Sequence, residues 1–219
     1  MTSPGVIPSL SLMMICTSFA AVEARNLRVA TGAYLVQALL VCALLFTYAL
    51  RNPALFWWVG TALVTKAVLV PLFLWQATRG GAREAPPSVG LKASAAVQLA
   101  LLALSYRFVH AHAPSFIAAG GALGDAVVTN LAVGLTIFAM GLYAILSRRD
   151  AIKTVIGLCL LENGVHLSLV SLAPLMPETA LLGIASEVVV TVVLLLVIVR
   201  QIRERFGDTD TFRLSELHG

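Results

Sequence analysis

The sequence predicts an all-α, polytopic integral membrane bundle of about seven transmembrane helices, with the N-terminus outside and the C-terminus in the cytoplasm. Three observations predict it. The chain is 59% hydrophobic and only 12% charged, against about 25% charged residues in a typical soluble domain. Its charges are segregated, so that apolar stretches of about twenty residues alternate with short charged punctuation, and such stretches can cross a hydrocarbon core of ~30 Å at ~1.5 Å per residue. The basic residues also alternate in side.

Spans are expected at 5–22, 29–50, 54–76, 91–111, 126–147, 152–173 and 179–200. The first has no basic leader and no small-residue cleavage site before Glu23, so it reads as a retained helix rather than a signal peptide. The connections are short apart from 77–90 and 112–125, both rich in Gly, Pro or Ala. Loops one, three and five and the tail 201–219 carry Arg25, Arg28, Arg79, Arg83, Lys92, Arg148, Arg149, Lys153, Arg200, Arg203, Arg205 and Arg213, whereas the other side has Arg51 and Arg107. Cytoplasmic loops accumulate Lys and Arg, which sets the expected orientation. The basic loop residues are read as topology determinants first and lipid-headgroup contacts second.

Other residue types narrow the function. Cys16, Cys42 and Cys159 fall inside apolar stretches at unrelated spacings, so neither a disulfide framework nor a metal site is indicated. His110 and His112 read as interfacial residues rather than metal ligands, and Asp125 as the cap that begins helix five. A net charge of +4 gives no indication of nucleic-acid binding.

Four ionisable groups remain deep inside the spans, away from their ends: Lys66 in helix three, Glu162 and His166 in helix six, and Glu187 in helix seven. Each charge at a span centre costs ~2.5–3.5 kcal/mol on insertion scales, so such groups mark ion pathways, proton relays or buried pairs. Burial disfavours the charged form of any such group, and one poised near neutrality can take up and release a proton. Glu162 and His166, at i and i+4, share a face with Cys159, and Asn163 adjoins it as a helix–helix contact. Gly183, Glu187 and Thr191 make a stripe of small and polar residues that favours close packing. Pro71 cannot donate to the carbonyl of Ala67, so a local break beside Lys66 is expected, one that admits water. Two readings stay open: a proton relay through Glu162, Glu187, Lys66 and His166, or a buried Lys66–Glu pair that fixes helix register.

The run RRDAIKTVIGLCLLENGVHLSLV followed by LLGIASEVVVTVVLLLVIVRQIRERF resembles the K subunit of bacterial respiratory complex I over the last third of the chain, and the tail ending SELHG resembles that subunit's tail. The whole arrangement, with further helices ahead of this region, resembles component E of hydrogenase-4, a membrane subunit of group 4 nickel–iron hydrogenases of the formate hydrogenlyase type. LLENG in helix six and a mid-helix lysine followed by proline, here Lys66 and Pro71, fit that family. The C subunit of multisubunit Na⁺/H⁺ antiporters is similar in helix pattern but usually has no glutamate at the ENG position.

The resemblance implies a division into 1–147, a K-like helix pair 148–200, and a cytoplasmic tail 201–219. It implies two intramembrane glutamates that translocate protons. Glu187 matches the second; the position of the first holds Cys159, with the carboxylate one turn later at Glu162. It further implies a multi-pass protein of the bacterial cytoplasmic membrane, with antiporter-like and other membrane subunits, and lipids, as partners. No ligands for iron–sulfur clusters, nickel or flavin occur, so no cofactor is expected, and redox chemistry would lie in partner subunits rather than in this chain. The competing functions are a subunit of a cation/proton antiporter complex and a passive membrane scaffold.

Overall fold

The computed structural model describes residues 6–50, 53, 55–78, 89–116, 122–148, 150–172 and helical positions between 192 and 204, without the side chains of 6–8, 113–116, 122–124, 126 and 172. Within these residues the chain is helical, as the apolar spans predict. The helices are α1 (Val6–Glu23), α2 (Leu27–Ala49), α3 (Leu55–Thr78), α4 (Leu91–Phe116), α5 (Ala122–Ser147) and α6 (Ala151–Leu172). Helical residues at 192, 193, 195–197, 199 and 200 fall in the expected seventh span, and those at 201 and 204 in the expected tail. Residues Leu27–Ala49, Leu55–Thr78, Val127–Ser147 and Ala151–Ser171 are each long and apolar enough to cross a bilayer. The core runs through all of them, from Met14 and Tyr34 to Leu160 and Leu167.

Two expected boundaries are corrected. The connection between helices four and five is not 112–125: α4 continues to Phe116 and α5 starts at Ala122. His110 and His112 therefore lie on helix, each with Nδ1 2.9 Å from the carbonyl oxygen one turn back, of Tyr106 and Phe108. Asp125 is likewise not the residue that begins helix five. It sits within the first turn of α5, where a carboxylate still favours the positive end of the helix dipole. The helix starts earlier because Ala122 and Leu123 are strong helix formers.

The tightest pairing is α5 on α6, and glycines set its closeness. Gly134 and Gly141 on α5 face Gly164 and Gly157 on α6, in antiparallel register and one heptad apart on each helix. A Cβ at Gly141 would lie 2.6 Å from the Gly157 carbonyl oxygen, and one at Gly164 would lie 2.6 Å from that of Gly134. Small residues let helix backbones touch where lipid provides no hydrophobic drive between them. Around this pair, α1 and α4 pack on α5, and α2 packs on α1, α3 and α6.

Helix α4 is turned polar side in. Its Ser94, Gln98 and Ser105 are buried, whereas Leu99, Leu104 and Phe108 are exposed, as expected for a helix whose outer face meets lipid. Toward the end of the bundle where α5 begins, Asn130 of α5 accepts from Ser11 of α1 (2.5 Å) and donates to the Tyr48 hydroxyl of α2 (2.7 Å). One buried amide thereby ties three helices together.

Candidate functional site: a buried lysine–carboxylate centre

Helix α3 does not run as a regular α-helix past the lysine. Residues Leu63–Leu69 form a π segment in which the Val70 N–H reaches the Thr65 carbonyl, five residues back. The break anticipated from Pro71 is thus a π-bulge just ahead of the proline. The widened turn absorbs the missing proline N–H and re-aims the residues within it. Such bulges are frequent at functional sites.

Lys66, at the middle of this segment and of α3, points into the bundle and is 2% exposed. Its Nζ donates to Asn163 Oδ1 (2.7 Å) and contacts His166 Nδ1. Glu162 Oε1 lies 2.8 Å away as a contact ion pair. Glu162 Oε1 is also 3.3 Å from His166 Nδ1, across one turn of α6. An ammonium has three donors, and three acceptors from one helix face surround it. Helix α2 closes the site: Gln37 Oε1 accepts from Asn163 Nδ2 at 2.6 Å, and the Tyr34 hydroxyl is hydrogen-bonded to the Cys159 thiol. The Trp58 ring meets His166 edge-on, with centroids 5.5 Å apart.

Three of the four expected intramembrane groups, Lys66, Glu162 and His166, are therefore brought together. Glu187, Gly183 and Thr191 lie outside the described residues. Tyr34, Gln37 and Trp58 were not singled out from sequence, although an isolated glutamine in the apolar run of α2 is a readable signal. With Nδ1 facing the lysine ammonium, a neutral His166 carries its proton on Nε2, and that atom has no hydrogen-bond partner among the described residues. A buried donor of this kind costs ~1–3 kcal/mol unless water or an acceptor reaches it.

A second buried polar cluster corrects the headgroup-contact reading for two of the basic loop residues. Arg148 and Lys153 do not face headgroups. Arg148 Nη2 is 2.8 Å from Glu23 Oε1, with both side chains buried. The same oxygen accepts from Gln98 Nε2 at 2.6 Å and from Ser94, and Tyr143 donates to Ser94 Oγ. Lys153 Nζ donates to the Ala21 and Val22 carbonyls at the end of α1, at 2.7 and 3.1 Å. A cation at a helix C-terminus is favourable, and these carbonyls have no partner within the helix. Asp150 Oδ1 caps α6 by accepting from Ile152 and Lys153 N–H.

This cluster joins α1, α4, α5 and α6 and carries matched charges, so its role is cohesion. Glu23→Leu is expected to strand Arg148 and to destabilise by ~3 kcal/mol. The lowered chain yield and melting midpoint should be partly restored by adding Arg148→Leu. An unchanged midpoint in the single variant would contradict this role.

The comparisons with known proteins agree with this architecture. A family model for NADH-ubiquinone/plastoquinone oxidoreductase chain 4L matches residues 129–219, which include α6 and Glu162. Hydrogenase-4 component E of Escherichia coli strain K12 is 31% identical over 222 aligned residues, covering all of both chains, and the Shigella flexneri protein matches to the same extent. No solved structure matches. Identity at this level along the entire length, together with the chain 4L family-model match over residues 129–219, shows that the chain belongs to the hydrogenase-4 component E family.

Proposed function

We propose that this chain is a membrane-arm subunit of a complex I-like hydrogenase assembly of the bacterial cytoplasmic membrane, and that its buried centre moves protons in step with redox chemistry in partner subunits. The observation that carries the reading is the Lys66–Glu162–His166 contact, formed by a π-bulge midway along one span and the midpoint of another. A purely structural pair would be satisfied by lysine and carboxylate alone. Here a histidine touches both members of the pair, and its outer nitrogen has no partner among the described residues. A proton arriving at Glu162 can pass to His166 Nδ1 when Lys66 withdraws, and leave from Nε2 toward water or toward Glu187, the remaining intramembrane carboxylate.

The chain supplies no redox group in this reading and acts as a non-catalytic subunit. In this reading residues 148–200 form the complex I-like helix pair, and the basic asymmetry supports a cytoplasmic C-terminus. Purification of the intact complex through a C-terminal tag, followed by reconstitution in vesicles, tests it. Larger antiporter-like subunits and a hydrogenase module should co-purify, and hydrogenase turnover should acidify or alkalinise the lumen. Recovery of a well-behaved lone chain, or of antiporter subunits with no redox partner, would overturn the assignment.

A further inference from the structure

We propose that the groove between α2 and α3 is a binding site for one anionic phospholipid of the leaflet facing Arg25 and Arg28. The groove, of about 380 Å³, is lined by Arg28, Gly32 and Leu35 on α2 and by Val68, Leu72 and Trp75 on α3, among others. It opens sideways from the bundle, and its lining is apolar except at the end that holds Arg28.

Three features point to a phospholipid. The first is charge: Arg25 and Arg28 are exposed, and among the described residues neither guanidinium meets a carboxylate. Guanidinium groups bind phosphate oxygens in paired hydrogen bonds. The second is shape. Gly32 has nothing within 4 Å of where its Cβ would be, so the α2 wall is scooped out below the arginine, and the apolar stretch from Arg28 to Leu35 runs ~10 Å along the helix. That length suits the upper part of one acyl chain, with its phosphate at Arg28. The third is depth: the arginine and the Trp75 indole lie at the same end of the groove, as headgroup-level anchors do.

The other end of the groove reaches Ala67 and Val68, inside the π segment that holds Lys66. A lipid chain seated there packs against the outer side of the widened turn, while Lys66 occupies its inner side. The site therefore couples lipid composition to the backbone that aims the lysine.

Photo-crosslinking in native membranes tests the proposal on the full chain. The crosslinker p-benzoylphenylalanine replaces Leu72 in the groove, or Leu104, which is 67% exposed on the outer face of α4, as the bulk-lipid reference. Mass analysis of the adducts is expected to show anionic phospholipid enriched roughly fivefold or more at position 72 over position 104. Arg28→Gln should return that ratio to about one, and Gly32→Phe, which fills the groove from open space, should lower total lipid adduct at position 72 severalfold. Adducts at position 72 with the same composition as at position 104, or with a peptide of another subunit, would overturn it. Because the comparison of the two positions is made first in the otherwise unaltered chain, poor accumulation of a variant does not rescue the idea.

Discussion

Glu162→Gln is expected to leave the complex assembled, with yield within about twofold of the parent, while redox-driven proton uptake falls roughly tenfold or more, about 1.4 kcal/mol or more on the rate-limiting step. The swap keeps size and hydrogen-bonding capacity and removes the proton-carrying carboxylate. The geometry explains why assembly should survive. Removing one partner of a buried ion pair generally costs ~3–5 kcal/mol because the other charge is stranded. Lys66, however, directs its hydrogen bond to Asn163 and also contacts His166. Two neutral acceptors remain around the ammonium when Glu162 is neutralised. If the pair is instead the strut that fixes α3 on α6, Glu162→Gln should lose the complex and Lys66→Met should restore it. Measuring yield and proton uptake on the same preparations separates these outcomes. Full pumping by Glu162→Gln would end the relay reading.

The sequence revealed the centre because charge is rare where it lies. In spans of Leu, Val and Ala, one lysine, one glutamate and one histidine identify themselves by their desolvation cost, and the i, i+4 spacing placed Glu162 and His166 together before any coordinates did. Which carboxylate meets Lys66 could not be read, since pairing between helices depends on the azimuth of α3. A π segment shifts that azimuth by a fraction of a turn, and no residue pattern announces one beyond the nearby Pro71. The inward partners of Arg148 and Lys153 are hidden from the sequence for a related reason. A basic residue at a span end looks the same whether it snorkels to headgroups or turns inward, and the deciding partners, Glu23 and the Ala21 and Val22 carbonyls, lie more than a hundred residues away in the chain. The helices themselves were legible because the backbone must satisfy its own hydrogen bonds in lipid, which leaves length and apolarity as sufficient signals. Asn130, Gln37 and Gln98 show what that signal hides: single amides in apolar runs, each buried and each bonded to another helix.

Gly164→Ala should be the most damaging single-methyl change in the described part of the bundle, with Gly141→Ala close behind. A Cβ at position 164 would sit 2.6 Å from the Gly134 carbonyl oxygen and 2.8 Å from Phe138 Cα, and one at position 141 equally close to the Gly157 oxygen and to Leu161 Cα. The obstacles are backbone atoms, which cannot rotate away as a side chain would, so α5 and α6 must separate along their length. Overpacking of this kind costs ~1–3 kcal/mol, and the upper end applies because the interior is close-packed and transmits the displacement. The consequence reaches the site. Glu162 and Asn163 are the residues just before Gly164, and His166 follows within the same turn, so a shift of α6 misplaces all three acceptors of Lys66 at once. Chain yield and the melting midpoint of the complex should both fall, and proton uptake per surviving complex should fall with them. Gly60→Ala provides the comparison, since that position has open space where the new methyl would go, and it should leave yield and midpoint unchanged. Native yield and midpoint in both Gly141→Ala and Gly164→Ala would mean that backbone contact between α5 and α6 does not hold the carboxylate in place, and the positioning of Glu162 would then have to come from Asn163 and Gln37 alone.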